Sequence, residues 1–150
     1  MIKYVKGDIF DTECQAMVVP VNIEGVAGAG LAKQFKEKYP YWYMNYHTWC
    51  YNQKAGLGKV HVHVRWLNEY IISFPTKKYW RNPSRLEYIE VGLEALVELL
   101  DEGVGYFKYP IKSVAIPKLG CGLGGLDWKD VQKLIEKYLS RRTEYIEVYE

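Results

Sequence analysis

The chain has 150 residues, of which 20 are Lys or Arg and 18 are Asp or Glu, giving a formal net charge of +2. This length fits one domain with one core, and the near balance of charge argues against a strongly basic face that follows duplex DNA. The three cysteines, Cys14, Cys50 and Cys121, show no C-x-x-C pairing, which argues against a disulfide scaffold or zinc ribbon and fits a reducing cytoplasm. No apolar signal core follows Met1 and no run of 18 apolar residues occurs, so we expect a soluble cytoplasmic domain over residues 1–150.

The first half of the chain predicts strands, then helices, then a hairpin. β-Branched residues predict strands in "IKYVKGDIF", which Gly7 and Asp8 interrupt, and in "QAMVVPVN". From Leu31 the pattern is helical and breaks or restarts at Pro40. The aromatic run "YPYWYMNYHTWCY" is typical of half-buried helix and loop surface, with a base-stacking platform as the alternative. "KVHVHVRW" and "YIISFPT" predict a hairpin that turns at residues 67–69.

The second half predicts two helices and two strands. "SRLEYIEVGLEALVELL" has the most regular helical spacing, and Ser84 and Glu87 stand in capping-box positions at its start. "SVAIPKLG" is typical of a buried strand. Asp127 is expected to cap a helix with an apolar stripe over residues 131–139, before a last strand "EYIEVY". Strands alternating with helices predict an α/β fold in which helices cover a sheet.

Two glycine-rich turns stand at predicted strand–helix junctions, in "VPVNIEGVAGAGLAKQF" and "PKLGCGLGGLDW". Without a Cβ in the way, backbone N–H groups in such turns can converge on an anion, and two turns suit a diphosphate. Neither turn matches the Walker pattern or the dinucleotide G-x-G-x-x-G motif, which argues against P-loop NTPases and Rossmann dehydrogenases. A tight connection without a ligand is the alternative for each turn.

Three segments, "VKGDIF", "VNIEGVAGAGLA" and "PKLGCGLGGLDW", together resemble the macrodomain family, which binds ADP-ribose. "FPTKKYWRNPSRLEYIEVGL" is most similar to DarG-type macrodomains, which remove ADP-ribose from thymidine in DNA and are related in mechanism to terminal ADP-ribose protein glycohydrolase. The resemblance implies a three-layer α/β/α sandwich with a mixed central sheet and an ADP-ribose cleft along the strand ends. It also implies ADP-ribosylated substrates, with single-stranded DNA as a partner. We expect no cofactor and no metal ion.

The resemblance assigns the ligand contacts residue by residue. Asp8 would accept a hydrogen bond from the adenine amino group, with Ile9 beside the ring, and Asn22 would donate and accept near the distal ribose. The two turns would hold the diphosphate through Gly28, Ala29 and Gly30 and through Gly120, Cys121, Gly122, Leu123, Gly124 and Gly125. Cys121 is expected to be a small packing residue rather than a nucleophile. On the residues alone, Asp8 and Asn22 are also compatible with simple turn roles.

Lys77 decides between an enzyme and a binding module. In the resembling glycohydrolases this lysine, after "FPT" at a predicted strand end, is the nucleophile that attacks the anomeric carbon and forms an imine-like adduct. We expect burial and the neighbouring Lys78 and Arg81 to disfavour the ammonium form. A Lys-Lys pair is otherwise typical of solvated surface. The alternatives are therefore a non-catalytic ADP-ribose reader, or a hydrolase of ADP-ribose-1″-phosphate or O-acetyl-ADP-ribose.

The resemblance has two departures. Terminal ADP-ribose protein glycohydrolase has an aspartate where this chain has Gly124, and Asp127 is not its equivalent, so the general acid or base stays unidentified. DarG-type proteins also carry a C-terminal domain that counters a DNA ADP-ribosyltransferase toxin, whereas this chain ends at Glu150. A link to such a toxin is therefore left open.

Two further groups of residues suggest binding. Lys78, Trp80, Arg81 and Arg85 combine charge with a stacking ring, as single-stranded DNA binders do, although Arg85 equally suits helix solvation. His61 and His63 alternate on one strand and share a face. No third metal ligand accompanies them, which is more typical of a surface pair than of a metal site.

Overall fold

The computed structural model describes all 150 residues as six strands around which four helices pack. The strands are β1 (Ile2–Val5), β2 (Ala16–Val21), β3 (His61–Trp66), β4 (Glu69–Pro75), β5 (Ser113–Ile116) and β6 (Tyr145–Tyr149). The helices are α1 (Gly30–Lys38), α2 (Pro40–Tyr51), α3 (Leu86–Glu102) and α4 (Trp128–Leu139). None of the four helices combines the length and apolar character needed to cross a bilayer.

One mixed sheet contains all six strands, in the order β1-β6-β5-β2-β4-β3. Every neighbouring pair is parallel except β3 and β4, which form the predicted hairpin. Because five strands run in the same direction, their carboxyl ends meet at one edge of the sheet. Loops that leave this edge are where open α/β sheets place ligands.

The sheet is buried on both faces. Val18 of β2 packs in a core with Leu93 of α3 and Ile135 of α4. The next residue, Val19, packs on the opposite face with Phe35 of α1 and Trp42 of α2. This explains why the inner strands β2, β4 and β5 are almost continuously apolar rather than alternating, and it confirms the three-layer α/β/α sandwich.

The aromatic run is mainly a packing feature of α2. Pro40 occupies the first turn of that helix, where its missing N–H breaks no hydrogen bond. Trp42 and Tyr46 are fully buried and stack with ring centroids 5.4 Å apart, whereas Tyr41 and Tyr51 are exposed. The predicted half-buried surface is thus confirmed, and the inward-facing rings do not form an exposed base-stacking platform.

Two predictions about element bounds differ from the structure. The first strand ends at Val5, and Asp8 instead caps a 3₁₀ turn over Ile9–Asp11. The capping box at Ser84 is wrong, because α3 begins at Leu86 with no side-chain cap. The backbone N–H of Ser84 donates instead to the Gly124 carbonyl at 3.0 Å, which ties the start of α3 to the second glycine turn.

The histidine pair of β3 lies beneath α2 rather than on the surface. His63 is 7% exposed, and its Nδ1 lies 2.6 Å from Nδ2 of Asn45. His61 stacks on Trp49 at a centroid distance of 5.2 Å. The sequence predicted that both histidines share a face of β3 but not that α2 packs on this face, because that contact depends on tertiary packing.

Asp127 caps α4 as predicted, accepting the Lys129 N–H at 2.9 Å.

Candidate functional site

A cleft of about 1120 Å³ opens at the carboxyl edge of the sheet. Its walls are the segments that follow β2, β4 and β5, the first turn of α1, the start of α4 and the end of β6. The volume slightly exceeds the range of about 300–1,000 Å³ for small-molecule sites, so the cleft suits an extended ligand rather than a single small group.

The first glycine turn delivers the start of α1 to the cleft. Gly28, Ala29 and Gly30 all line the cleft, as predicted. Ala29 at the N-cap makes no side-chain cap, so the N–H groups of the first helical turn are left for an anion. Gly30 has a φ of 60°, a left-handed conformation that glycine adopts without strain.

Asn22, the residue after β2, stabilises this turn through side-chain hydrogen bonds. Its Oδ1 accepts the backbone N–H groups of Glu24, Gly25 and Val26 and the hydroxyl of Tyr46. Its Nδ2 donates to the Val26 carbonyl at 2.8 Å. Asn22 thus has the alternative role considered above, that of a turn residue at a strand end. It also lines the cleft, but only its second Nδ2 hydrogen is left for a ligand. The expectation that Asn22 also accepts from a ligand does not fit this arrangement.

The second glycine turn follows β5. Leu126 N–H donates to the Gly120 carbonyl and Gly125 N–H to the Gly122 carbonyl, which closes the turn tightly. A Cβ at Gly124 would overlap the Gly120 carbonyl oxygen and Ser84 Oγ, whereas a Cβ at Gly122 would meet no atom within 4 Å. Gly122 therefore presents bare backbone to the cleft, and Gly124 is required for packing.

The two turns meet across the cleft. Leu123 is 72% exposed, and its Cδ1 lies 3.7 Å from the place that a Cβ on Gly30 would occupy. The predicted residues of the second turn that line the cleft are Gly120, Cys121, Gly122, Leu123 and Gly124, whereas Gly125 lies outside the lining. Burial raises the pKa of the Cys121 thiol, which disfavours the nucleophilic thiolate and agrees with a packing role.

Lys77 lies next to the first glycine turn, because β4 is the neighbour of β2, and it lines the same cleft as the second turn. The Thr76 N–H donates to the Val21 carbonyl at 2.9 Å, so the ladder between β2 and β4 continues to the residue before Lys77. Lys77 is half-buried and lines the cleft, and its Nζ donates to the Trp80 carbonyl at 3.4 Å. The predicted position of Lys77, just after a strand end, agrees with this geometry, and its catalytic role stays a prediction.

Of the four predicted nucleic-acid contacts, only Trp80 lines the cleft. Trp80 lines the cleft and is 52% exposed, with the Arg81 guanidinium 5.0 Å from its ring centroid. Lys78, Arg81 and Arg85 are exposed and lie outside the lining. Arg85 pairs with Glu87 at 3.5 Å, which matches the alternative of helix solvation.

Asp8 and Ile9 lie outside the residues that line the cleft. Asp8 Oδ1 accepts the Phe10 N–H at 2.9 Å, and Ile9 is buried. Both residues follow β1, whose partner strand β6 ends in cleft-lining residues, and the Glu150 N–H donates to the Val5 carbonyl at 3.0 Å. The carboxylate of Asp8 thus lies on the same sheet edge as the cleft and keeps Oδ2 without a protein partner.

Several cleft residues were missed by sequence reasoning. They include Thr76, Lys118, Leu126, Trp128, Tyr149 and Glu150. Trp128 Nε1 donates to Glu150 Oε2 at 3.3 Å, which joins the start of α4 to the end of β6. The resemblance singled out Lys77, whereas its other property, proximity to the end of a parallel strand, is shared by Lys118 after β5 and by Glu150 after β6. No cluster of three or more potential metal ligands occurs in the structure.

The profile of the Macro domain family matches residues 18–135. This chain belongs to the Macro domain family. The Macro domain is 39% identical over 142 residues to a DNA ADP-ribosyl glycohydrolase of Thermus aquaticus, covering 93% of this chain and 38% of that protein. It is 34% identical over 166 residues to a DNA ADP-ribosyl transferase-DNA ADP-ribosyl glycohydrolase fusion protein of Thermosipho africanus, covering 99% of this chain and 41% of that protein. The chain thus spans about two fifths of the length of these relatives.

Solved structures agree with this assignment. The macrodomain of Thermus aquaticus DarG superposes with a TM-score of 0.90 at 37% identity, covering 100% of this chain and 98% of that chain. Thermosipho africanus DarTG in complex with ADP-ribose superposes with a TM-score of 0.87 at 34% identity, covering 99% of this chain and 41% of that chain. The resemblance of the sequence to DarG-type macrodomains is confirmed.

Proposed function

We propose that this Macro domain is a hydrolase that removes ADP-ribose from a nucleic-acid base, thymidine in single-stranded DNA, through nucleophilic attack by Lys77. The observation that carries the proposal is that Lys77 lines the same cleft as both glycine turns. The names of the relatives, which are glycohydrolases of ADP-ribosylated DNA, support the same substrate class.

The bound ADP-ribose would extend along the sheet edge. Oδ2 of Asp8 would accept from the adenine amino group, with Ile9 beside the ring, and the two glycine turns would donate backbone N–H groups to the diphosphate. The second Nδ2 hydrogen of Asn22 would donate to the distal ribose. This arrangement places the anomeric carbon of the distal ribose at the Lys77 end of the cleft.

The reaction uses the lone pair of unprotonated Lys77 Nζ. Nζ forms a bond to the anomeric carbon as the bond from that carbon to the base breaks, and the base leaves with the electron pair and takes up a proton. Opening of the ribose ring gives an imine on Lys77. Water then adds to the imine carbon, which releases ADP-ribose and restores the amine.

The exposed residues at the mouth would hold the DNA strand. Trp80 offers a stacking face beside Lys77, and Lys78, Arg81 and Arg85 supply positive charge for the phosphates. The net charge of +2 gives the whole chain little attraction for DNA, so the attraction would come from these three cations and the Trp80 ring. Single-stranded rather than duplex DNA fits, because a stacking platform needs an unpaired base.

Residues 1–150 are proposed to act as one Macro domain unit, because β1 and β6, from the two ends of the chain, pair in one sheet.

A functional link to a DNA ADP-ribosyltransferase toxin is proposed from the fusion protein of Thermosipho africanus. A cytoplasmic location fits the three cysteines, none of which forms a disulfide.

The test is release of ADP-ribose from three substrates in parallel: an ADP-ribosylated thymidine oligonucleotide, an ADP-ribosylated protein and ADP-ribose-1″-phosphate. Lys77→Ala should keep its affinity for ADP-ribose but release it from DNA at least about a hundredfold more slowly. Lys77→Arg should fail equally, because a guanidinium stays protonated and provides no lone pair. Lys33→Ala, a change at an exposed lysine of α1 outside the cleft, is the control and should match the parent protein.

The outcomes separate the alternatives. Turnover by Lys77→Ala close to that of the parent protein on DNA would refute the lysine mechanism. A parent protein that binds ADP-ribose but releases it from none of the substrates would be a reader. Release from ADP-ribose-1″-phosphate alone would identify a hydrolase of the small metabolite.

A further inference from the structure

The turn that follows Lys77 has little regular structure of its own. Residues 78–85 contain neither helix nor strand, and one internal backbone hydrogen bond, from Asn82 N–H to the Tyr79 carbonyl, closes the turn. A reactive lysine immediately before such a turn needs contacts from other segments of the chain to fix the position of its amine.

Two hydrogen bonds from the first glycine turn supply these contacts. The Ile23 N–H donates to the Lys78 carbonyl at 3.1 Å. The Trp80 N–H donates to Oε1 of Glu24 at 2.7 Å, across 56 positions of sequence. Glu24 is the only side chain outside the segment that hydrogen-bonds to the backbone of residues 77–82.

Trp80 connects Glu24 to Lys77. Its N–H is held by the Glu24 carboxylate, and its carbonyl oxygen accepts the hydrogen bond from Lys77 Nζ at 3.4 Å. A shift of the Trp80 backbone would therefore move the acceptor that orients the amine. Glu24 itself is exposed and lies outside the lining of the cleft.

We infer that Glu24 is a positioning residue for Lys77, acting through the backbone of Trp80, so that the turn that binds the diphosphate also sets the direction of the amine. The inference rests on the proposed function. It requires an acceptor at the Glu24 side chain but no negative charge and no proton transfer, since the one hydrogen bond of the Glu24 side chain to this turn comes from the Trp80 N–H.

The experiment compares Glu24→Ala with Glu24→Gln in the full chain. The release rate from the thymidine oligonucleotide is measured in single turnover, and the Kd for ADP-ribose by calorimetry. Glu24→Ala should slow release about tenfold to a hundredfold, the cost of a misplaced reacting group, while the Kd stays within about twofold. Glu24→Gln should restore release to within about threefold of the parent rate, because its amide oxygen also accepts the Trp80 N–H. Glu37→Ala, at an exposed carboxylate of α1 with no ion pair, is the control.

Each result has one meaning. Parent-like release by Glu24→Ala would overturn the inference, and so would release by Glu24→Gln as slow as that of Glu24→Ala, since the charge would then be needed. Lys77→Ala, measured alongside, separates this failure from failure of the proposed function. If Lys77→Ala is inactive and Glu24→Ala is not, only the positioning role is wrong; if Lys77→Ala is active, both ideas fail.

Discussion

The two oxygens of the Asp8 carboxylate have different surroundings. Oδ1 accepts the Phe10 N–H and caps the 3₁₀ turn, whereas Oδ2 has no partner in the protein. Asp8→Asn should keep the cap but turn an N–H toward the adenine amino group. We expect both Asp8→Asn and Asp8→Ala to weaken ADP-ribose binding by about 1.5–3 kcal/mol, as for a hydrogen bond to a charged group, and only Asp8→Ala to lower the Tm. Calorimetry with unchanged affinity for both variants would exclude Asp8 from the site.

A substitution at Gly122 can test whether the second glycine turn binds phosphate without disturbing the fold. A Cβ there would meet no atom within 4 Å, and the backbone is not left-handed, so Gly122→Val should fold normally while its side chain enters the cleft. We expect the affinity for ADP-ribose to fall at least about tenfold, equivalent to about 1.4 kcal/mol. Gly56→Val, at another position with room for a side chain and outside the cleft, should bind normally. Equal Kd values for the two variants would contradict a phosphate-binding role for this turn.

At the scale of the elements, α3 and β4 approach closely at one glycine. A Cβ at Gly92 would overlap the ring of Phe74, which is fully buried and cannot move aside. Alanine normally stabilises a helix interior relative to glycine, but here overpacking should reverse the sign. We expect Gly92→Ala to lower the free energy of unfolding by about 1–3 kcal/mol in urea titrations. In the double variant, Phe74→Leu should recover part of this loss, and purely additive effects would contradict a direct contact.

The same contact links helix packing to the site. Phe74 stands three residues before Lys77, on the strand that places the lysine at the sheet edge. A shift of β4 in Gly92→Ala would therefore displace the segment that carries Lys77.

For the whole molecule, the buried histidines predict how stability depends on pH. Burial lowers the pKa of His63 in the folded protein below 6.5, and burial together with His63 does the same for His61. The unfolded chain therefore binds more protons, so their contribution to stability is complete above about pH 6.5 and is lost as the pH falls below that value. We expect the free energy of unfolding to be lower at pH 5.5 than at pH 7.5.

His63→Gln should reduce this dependence. The glutamine oxygen can accept the Asn45 N–H that now faces Nδ1 of His63, without a site that protonates in this range. An unchanged difference between the two pH values in His63→Gln would show that His63 is not responsible.

The sequence by itself determined the order of helices and strands, the hairpin, the Asp127 cap and both glycine turns, and its resemblance to a known family led to the position of Lys77. These features depend on periodicity, on steric limits at glycine and proline, and on short-range capping, all of which operate within a few residues. Predictions failed where the partner comes from another segment. Ser84 does not cap α3, because its backbone N–H bonds to Gly124, 40 positions further along the chain.

Tertiary structure alone decided which groups of the site are free for a ligand. The acceptor of Asn22 is occupied by Tyr46 and by its own turn, and the backbone of Trp80 is held by Glu24. These contacts follow from the strand order, in which β4 lies next to β2 and brings the Lys77 turn against the first glycine turn. Local sequence cannot specify such pairs, because hydrogen bonds between distant segments exist only once the sheet has placed both segments at the same edge.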